Sequence, residues 1–533
     1  MTKTLFIGLD GATFTVINEM TRNLPDVGVT MPFLKQFIAK GARAKLLSTP
    51  NPLTPPAWVS IMTGRTPGNH GVYDFVRTEE KAGNVYFTLY DSRDIRTETI
   101  WAIASRQNCT VVALNFPFTA PPLPINGALI PGFVPWKHLR HNTTPVNLYD
   151  RLKEIPDFDP KKLAWDFDRE KQTLEVMSKE DLENWVCYHI LRDEQWFRIA
   201  EKLLKEDRPD LMAVLFDGVD KLQHQIWMFL DPALISDNPS PWEKRMRELC
   251  LEYFRKLDTY IQRLVEIAGS ETQVFMASDH GFTTTTEIVR INRFLHEKGY
   301  LAWKETDDSQ ASNRRESSWF ANLDWHKTLA YCRTPSSNGI TIRIAEKPGN
   351  SGIQPSEYEA FREKLIHDLE NFRDLNTGER IIQAIHKRED IYFGSAMHEA
   401  PDLTLVLRDY GFVSIKNYEP TLEPRETPAG THHPEGIFLA GGYGIKSNYE
   451  GKRQNVVDVP AALLYSLNLP IPADFEGYVP EDFFTESHMD FKPVKIGVST
   501  VTGEEINSAT VDISEDEKQQ IIAQLQMLGY MEY

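Results

Sequence analysis

The feature that most constrains this chain is a set of short apolar runs that each end on polar residues. Residues 274–277 (VFMA) are followed at once by Ser278-Asp279-His280-Gly281, and residues 5–9 (LFIGL) end at Asp10. Residues 211–216 (LMAVLF) end at Asp217. Unbroken apolar runs are typical of strands buried in parallel sheets, which bind ligands at the carboxyl ends of their strands. These runs therefore predict a polar site along one edge of such a sheet.

Helical patterns alternate with these strands along the chain. One helix is expected at about 31–40, with Thr30 able to cap it and Gly41 at its end, and another from about Thr54 to Gly64. A third, from 242 to 268, carries apolar residues at steps of three and four. The alternation predicts an α/β fold with a mainly parallel central sheet and helices on both faces. Further strands are predicted at 44–47, 110–114, 403–407 and 436–440.

The length of 533 residues exceeds what a single core supports. The catalytic core is predicted at 1–135, 207–300 and 395–485. Two stretches that interrupt the rhythm, 136–206 and 301–394, are predicted to be cap insertions at the carboxyl edge of the sheet. Residues 486–533 are predicted to be a C-terminal extension with a terminal helix. This helix is expected to dock on the body or on a partner chain, so a homo-oligomer is possible.

Charge and hydropathy exclude several classes of protein. The net charge of −18 offers no basic face, so no nucleic-acid polymer is expected as a partner. There is no run of about 20 apolar residues, so no membrane span is expected. The N-terminus lacks the features of a signal peptide, and a cytoplasmic location is therefore predicted.

Carboxylates, imidazoles and one hydroxyl recur at the predicted strand ends. Each motif is weak evidence by itself, because a lone Asp after a strand is usually a turn former. Together they supply the nitrogen and oxygen ligands that two zinc-like sites require, with open positions for substrate and water. The candidate residues are Asp10 after the first strand, Thr54 at a helix start, Asp220 and His224 in a DxxxH, Asp279 and His280 in an Asp-His-Gly, and His432 in Gly430-Thr431-His432.

These motifs resemble those of the alkaline phosphatase superfamily, in particular its type I phosphodiesterase/nucleotide pyrophosphatase branch. In that family the same five elements, in the same order, build a dimetal site. The resemblance covers the three core segments and implies an alkaline-phosphatase-like fold with two divalent metal ions, zinc or else manganese. It implies that one metal is held by Asp10, Asp279, His280 and the Oγ of Thr54, and the other by Asp220, His224 and His432.

The resemblance also implies a reaction, the hydrolysis of a small phosphodiester or phosphoanhydride through a phosphothreonine at Thr54. A threonine hydroxyl is a poor nucleophile at neutral pH, and both metal coordination and a helix N-terminus favour its alkoxide. Two metals about 3.5–4 Å apart can clamp the attacking and leaving oxygens of an in-line displacement. The reaction chemistry and the ligand set therefore agree.

Two of the proposed ligands have rivals close by in the sequence. His433 adjoins His432, which is preferred because it occupies the third position of the GxH motif. Asp217 adjoins the DxxxH motif, but only Asp220 has the right spacing to His224.

The sequence also departs from the family pattern. Nucleotide pyrophosphatases carry a phosphate-binding Asn three residues after the nucleophile, where this chain has Ala57. Pro55 and Pro56 lack backbone N–H groups, so the helix start offers few donors. Arg65 and Lys221 are the candidate cationic substrate-binding residues that could compensate.

Two other functions remain open at this stage. One is a phosphomonoesterase or phosphomutase of the same superfamily. The other is a catalytically inactive, metal-stabilised binding protein, which the presence of Thr54 beside all six metal ligands disfavours. Metal content together with turnover of phosphate esters separates these functions.

Overall fold

The computed structural model describes residues 2–500, except 26, 82–83, 164–177, 305–322, 335, 346, 348–349 and 418. The predicted terminal helix lies outside the described residues. In the part of the chain that is described, none of the helices combines the length and apolar character needed to cross a bilayer.

The described residues form twenty β-strands. In chain order they are β1 (Thr4–Leu9), β2 (Ala42–Leu47), β3 (Val76–Lys81), β4 (Asn84–Leu89), β5 (Val111–Leu114), β6 (Gly127–Ile130), β7 (Leu211–Phe216), β8 (Gln273–Ala277), β9 (Gly281–Arg290), β10 (Ala330–Cys332), β11 (Gly339–Ile342), β12 (Ile382–Lys387), β13 (Leu403–Leu407), β14 (Val413–Ser414), β15 (Leu422–His433), β16 (Glu435–Gly441), β17 (Tyr449–Glu450), β18 (Gln454–Asn455), β19 (Ile471–Pro472) and β20 (Ile496–Gly497).

Sixteen α-helices accompany these strands within the described residues. They are α1 (Phe14–Thr21), α2 (Pro32–Lys40), α3 (Thr54–Thr63), α4 (Pro67–His70), α5 (Ile100–Arg106), α6 (Trp136–Leu139), α7 (Leu148–Leu152), α8 (Pro160–Leu163), α9 (Lys179–Glu206), α10 (Gly218–Ile226), α11 (Pro241–Ala268), α12 (Ile291–Glu297), α13 (Tyr358–Glu370), α14 (Arg388–Ile391), α15 (Asp458–Ser466) and α16 (Glu486–Phe491).

A nine-stranded sheet dominates the fold, in the order β17-β2-β16-β8-β1-β7-β5-β6, with β18 also paired to β2. Strands β8, β1, β7, β5 and β6 run parallel to one another. Every residue of β1, β7 and β8 is buried, as expected where helices cover both faces of a parallel sheet. The predicted fold class, a mainly parallel central sheet, is confirmed.

The chain forms two compact units. The first comprises Met1–Val72, Asp91–Phe282 and the described residues from His432 onward, and it contains the nine-stranded sheet. The second comprises Tyr73–Tyr90 and Thr283–Thr431 and contains a four-stranded antiparallel sheet, β10-β11-β13-β12.

This division differs from the predicted domain boundaries. The described residues of 136–206 belong to the first unit, whereas the first part of the predicted core segment 395–485, up to Thr431, belongs to the second. The apolar run 403–407 forms a strand as predicted, but it pairs within the antiparallel sheet of the second unit. Strand β16, which contains the predicted strand 436–440, enters the main sheet antiparallel to both β2 and β8. Apolar runs alone do not specify strand partners or direction.

The predicted cap of α2 is wrong. The helix begins at Pro32 without a side-chain cap from Thr30, because the residue before the helix is Met31. The carboxylate of Asp258, on α11, instead accepts hydrogen bonds from the N–H groups of Phe33 and Leu34, at 2.9 and 2.8 Å. A long-range carboxylate thus satisfies donors that a local cap usually takes.

Candidate active site

Side chains from three strand ends and two helix starts converge in the first unit. Asp10 follows β1 directly, and Asp279 follows β8 by two residues. Asp220 lies in the first turn of α10, the helix that begins directly after β7. His432 lies near the end of β15, and Thr54 is the first residue of α3. All five side chains are buried.

Three of the predicted ligands form what we call the first cluster: Asp10, Asp279 and His280. The Nε2 of His280 lies 3.6 Å from Oδ1 of Asp10 and 3.2 Å from Oδ2 of Asp279. The Oγ1 of Thr54 lies 3.2 Å from the same nitrogen. The hydroxyl predicted to be the nucleophile therefore faces this cluster.

The other three form the second cluster: Asp220, His224 and His432. The Nε2 atoms of His224 and His432 are 3.0 Å apart, and they lie 3.4 and 3.2 Å from Oδ1 of Asp220. His280 also approaches this cluster, with Nε2 at 4.0 Å from Oδ1 of Asp220. The two clusters are therefore adjacent, and His280 lies between them.

Backbone carbonyls orient two of the imidazoles. The Nδ1 of His432 lies 2.7 Å from the carbonyl oxygen of Pro52, and the Nδ1 of His280 lies 3.1 Å from that of Gly281. A carbonyl only accepts, so both Nδ1 atoms carry the proton and each Nε2 directs a lone pair into the cluster. This is the usual arrangement of metal-binding histidines.

Burial and mutual repulsion set the charges of the carboxylates. Burial, followed by the neighbouring carboxylates, raises the pKa of Asp10 well above its usual value, and burial does the same for Asp279. Burial also opposes ionisation of Asp220, but the charges of His224 and Lys221 outweigh it and hold its pKa well below the usual value. A cation placed among these groups would relieve the repulsion.

The residues present fit divalent metal ions. Oδ1 of Asp10 and Oδ2 of Asp279 are buried and accept no hydrogen bond from any described residue, which is costly for a carboxylate that has no cation. In two groups of three residues, one possible ligand atom from each residue lies within 4.8 Å of those of the other two. These groups are Asp10 with Asp279 and His280, and Asp220 with His280 and His432. Carboxylate oxygens with imidazole nitrogens are the donor set of zinc sites that retain an open position.

The start of α3 places Thr54 but offers few backbone donors. Pro55 and Pro56 have no N–H, and the N–H of Ala57 bonds to the carbonyl of Leu53 at 3.1 Å. Charge on a bound anion must therefore be met largely by side chains and cations, in contrast to helix starts that cradle a phosphate.

The structure separates the rival ligands. Asp217 is paired with Arg192 and accepts from Nδ2 of Asn115 at 3.2 Å, both through Oδ1, so this oxygen is engaged elsewhere. His433 accepts from the N–H of Glu435 at 3.1 Å. Asp220 and His432 are the members of each pair that lie in the second cluster.

The two predicted cationic helpers differ in position. Arg65 follows the far end of α3 and pairs with Asp474 at 2.5 Å and Glu476 at 3.2 Å, so the structure does not bring it to the clusters. Lys221 is buried beside them, with Nζ 3.4 Å from Oδ2 of Asp220 and 5.6 Å from the ring centre of Phe133.

Trp58 is a site residue that the sequence analysis missed. Its Nε1 donates to Oδ2 of Asp10 at 3.3 Å, and its ring packs on β1, where a Cβ on Gly8 would lie 2.7 Å from it. A glycine in the strand is therefore needed for α3 to approach this closely. The spacing of Thr54 and Trp58, one helical turn apart, was the available signal.

Comparisons with known proteins identify a family and a fold for this chain. The family model for type I phosphodiesterase/nucleotide pyrophosphatase matches residues 4–435. An inactive threonine-to-alanine variant of murine ectonucleotide pyrophosphatase/phosphodiesterase 5, in complex with AMP, superimposes with a TM-score of 0.53 at 14% identity, over 91% of this chain and 100% of that one. Phosphonoacetate hydrolase from Sinorhizobium meliloti 1021, in complex with phosphonoformate, superimposes with a TM-score of 0.50 at 15% identity, over 87% of this chain and 95% of that one. No curated protein sequence is significantly similar to this chain.

Proposed function

Because the chain belongs to the type I phosphodiesterase/nucleotide pyrophosphatase family of the alkaline phosphatase superfamily, we propose that it is a two-metal phosphoesterase. Its substrate is a small phosphodiester or phosphoanhydride, and the reaction passes through a phosphothreonine at Thr54. The observation that carries this proposal is the convergence of six ligand side chains and one hydroxyl in a buried region of the first unit.

Each cluster holds one cation in this proposal. The first cation takes Asp10, Asp279, His280 and the Oγ of Thr54, and the second takes Asp220, His224 and His432. We assign zinc, with manganese as the alternative, because mixed carboxylate and imidazole sites suit both. When bound, the two cations polarise the phosphoryl oxygens and lower the pKa of the Thr54 hydroxyl.

Thr54 performs the covalent chemistry. Its Oγ attacks phosphorus in line with the leaving oxygen, so the Oγ–P bond forms as the bond to the leaving oxygen breaks. Water then cleaves the phosphothreonine from the opposite side and restores the hydroxyl. The position of Thr54 at a helix start favours its ionised form.

Lys221 supplies additional positive charge for a substrate phosphoryl group. Its ammonium group is buried, with a side chain only 2% exposed, so its charge acts in a region where screening by water is weak. We assign to it part of the role that Asn fulfils in the family at the position of Ala57.

Turnover of matched esters tests the proposal. Protein loaded with zinc or manganese should hydrolyse bis(p-nitrophenyl) phosphate faster than p-nitrophenyl phosphate, and EDTA should abolish both activities. A nucleotide diester or anhydride belongs in the same panel, because a structural neighbour was solved with AMP.

The other outcomes are equally informative. Hydrolysis of the monoester alone would favour a phosphomonoesterase and contradict the diester assignment. Two bound metals without turnover of any ester would favour an inactive binding protein. Absence of metal binding would refute the proposal as a whole.

A further inference from the structure

The long helix α9 lies within the predicted cap insertion 136–206 and presents one buried face to the start of α10. Trp185, His189, Arg192 and Asp193 occupy that face, at spacings of four, seven and eight residues, and are each at most 4% exposed. Such spacings place side chains on one side of a helix. Three of them contact the turn that carries Asp220.

Arg192 contacts the residue before α10. Its guanidinium forms an ion pair with Asp217, with the two side chains 1% and 0% exposed. Nδ2 of Asn115, which follows β5, donates to the same oxygen of Asp217 at 3.2 Å. Asp217 is therefore held from two elements at once.

Asp193 contacts the first residue of α10. Its carboxylate accepts from the N–H of Gly218 and, at 2.6 Å, from the hydroxyl of Tyr253. A Cβ on Gly218 would lie 2.5 Å from Oδ2 of Asp193 and 2.7 Å from the Tyr253 oxygen. This close approach explains why glycine follows Asp217.

Trp185 contacts the same turn beyond Asp220. Its Nε1 donates to the carbonyl oxygen of Lys221 at 3.2 Å. The contacts of α9 thus fall on residues 217, 218 and 221, on both sides of the carboxylate that the second cluster needs.

We propose that α9 is a positioning element for the second metal, in which Arg192, Asp193 and Trp185 orient Asp220 and His224. The inference rests on the two-metal site of the proposed function and assigns a role to a stretch otherwise expected to act only as a cap. A buried ion pair is weak evidence for stability but is well suited to fixing orientation. Groups that orient metal ligands typically change metal affinity 10- to 100-fold when removed.

Zinc affinity measured by competition with a chromophoric chelator tests the inference. Trp185→Phe removes one hydrogen bond and keeps a smaller aromatic ring, so it is the mildest variant. We expect it to weaken the second zinc about ten-fold and to leave the first unchanged. His224→Ala identifies which binding step belongs to the second cluster.

Arg192→Met tests the ion pair itself. This variant leaves Asp217 buried without its ion-pair partner and is expected to unfold more readily. The double variant Arg192→Met/Asp217→Asn removes both charges and is therefore measured beside it. The double variant should fold, with an apo unfolding temperature near that of the wild type, but should still bind the second zinc about ten-fold more weakly.

Arg247→Met is the matched control. Arg247 also lies in the first unit and pairs with Glu19 at 3.0 Å, and neither residue belongs to a cluster. It should bind both zinc ions as the wild type does. If Trp185→Phe and the double variant also bind both ions with wild-type affinity, α9 has no positioning role. If the wild type binds no zinc, the proposed function itself is wrong.

Discussion

The two clusters are built in different ways. In the first, Asp10 and Asp279 follow adjacent parallel strands whose register pairs Gly8 with Ala277, so the sheet itself brings them together. In the second, Asp220 and His224 lie on a helix after β7, and His432 arrives on β15, a strand of a different sheet. The first cluster is fixed by backbone pairing, whereas the second depends on side chains that hold a helix in place.

Thr54 gives the largest expected effect, because it adjoins the first cluster but is not needed to assemble it. Thr54→Ala should lower kcat by a factor on the order of 10³ or more, since it removes the proposed nucleophile. Both metals should remain, because all six other ligands are intact. Activity and metal content measured on the same sample test this.

Thr54→Ser is the control for that variant, because it keeps a hydroxyl at the helix start. It should retain both metals and a substantial part of the activity. Normal turnover by Thr54→Ala would exclude Thr54 as the nucleophile and would leave the first cluster with a purely binding role.

His432 and His433 provide a matched pair, of which only His432 lies in the second cluster. His432→Ala should lose one metal of two and at least about a hundred-fold in activity, because a direct ligand is removed. His433→Ala should keep both, since His433 is half-buried and bonds locally to Glu435. Metal analysis after desalting reports the difference, and equal losses in both variants would refute the assignment of His432.

We expect a chelator to remove the two metals at different rates. The carboxylates of Asp10 and Asp279 are fully buried, whereas the side chain of His224 is 11% exposed. We therefore expect EDTA to extract the second metal first. Loss of each metal should lower the free energy of unfolding by about 2.7 kcal/mol, if the concentration of free metal before chelation was a hundred times its Kd.

Stopped-flow chelation with thermal denaturation at each stage tests this order. His224→Ala, which lacks a ligand of the second cluster, should show only the slow step. Extraction of the first metal ahead of the second would mean that burial of the ligands does not govern release.

The sequence indicated the proposed ligands of both clusters, but not the side chains that support them. An apolar run followed by Asp or Asp-His is a local pattern, and parallel strands bring such endings together wherever they lie in the chain. The contacts of Arg192 and Asp193 left no such pattern, because they depend on how a 28-residue helix packs on another helix.

The same distinction explains what the local patterns did not indicate. Strand 403–407 has the apolar pattern of a core strand, yet its partners are β11 and β12, which no local signal identifies. Arg65 lies two residues after α3 in the sequence, but it forms ion pairs with Asp474 and Glu476, about four hundred residues further along. Local motifs predict which side chains lie together at strand ends. The pairing of strands and the ion pairs of side chains depend on residues that are distant in the sequence.

The smallest expected effect comes from Trp58, which supports the first cluster as Trp185 supports the turn of the second. Trp58→Phe removes the 3.3 Å hydrogen bond to Asp10 and keeps an aromatic ring against β1. Because the sheet already fixes Asp10, zinc affinity at the first cluster should fall only about two- to three-fold, the lower end for one hydrogen bond. The same chelator competition, run beside Trp185→Phe, measures both. A larger loss in Trp58→Phe than in Trp185→Phe would mean that the sheet does not suffice to place Asp10, and that both clusters depend on side-chain support.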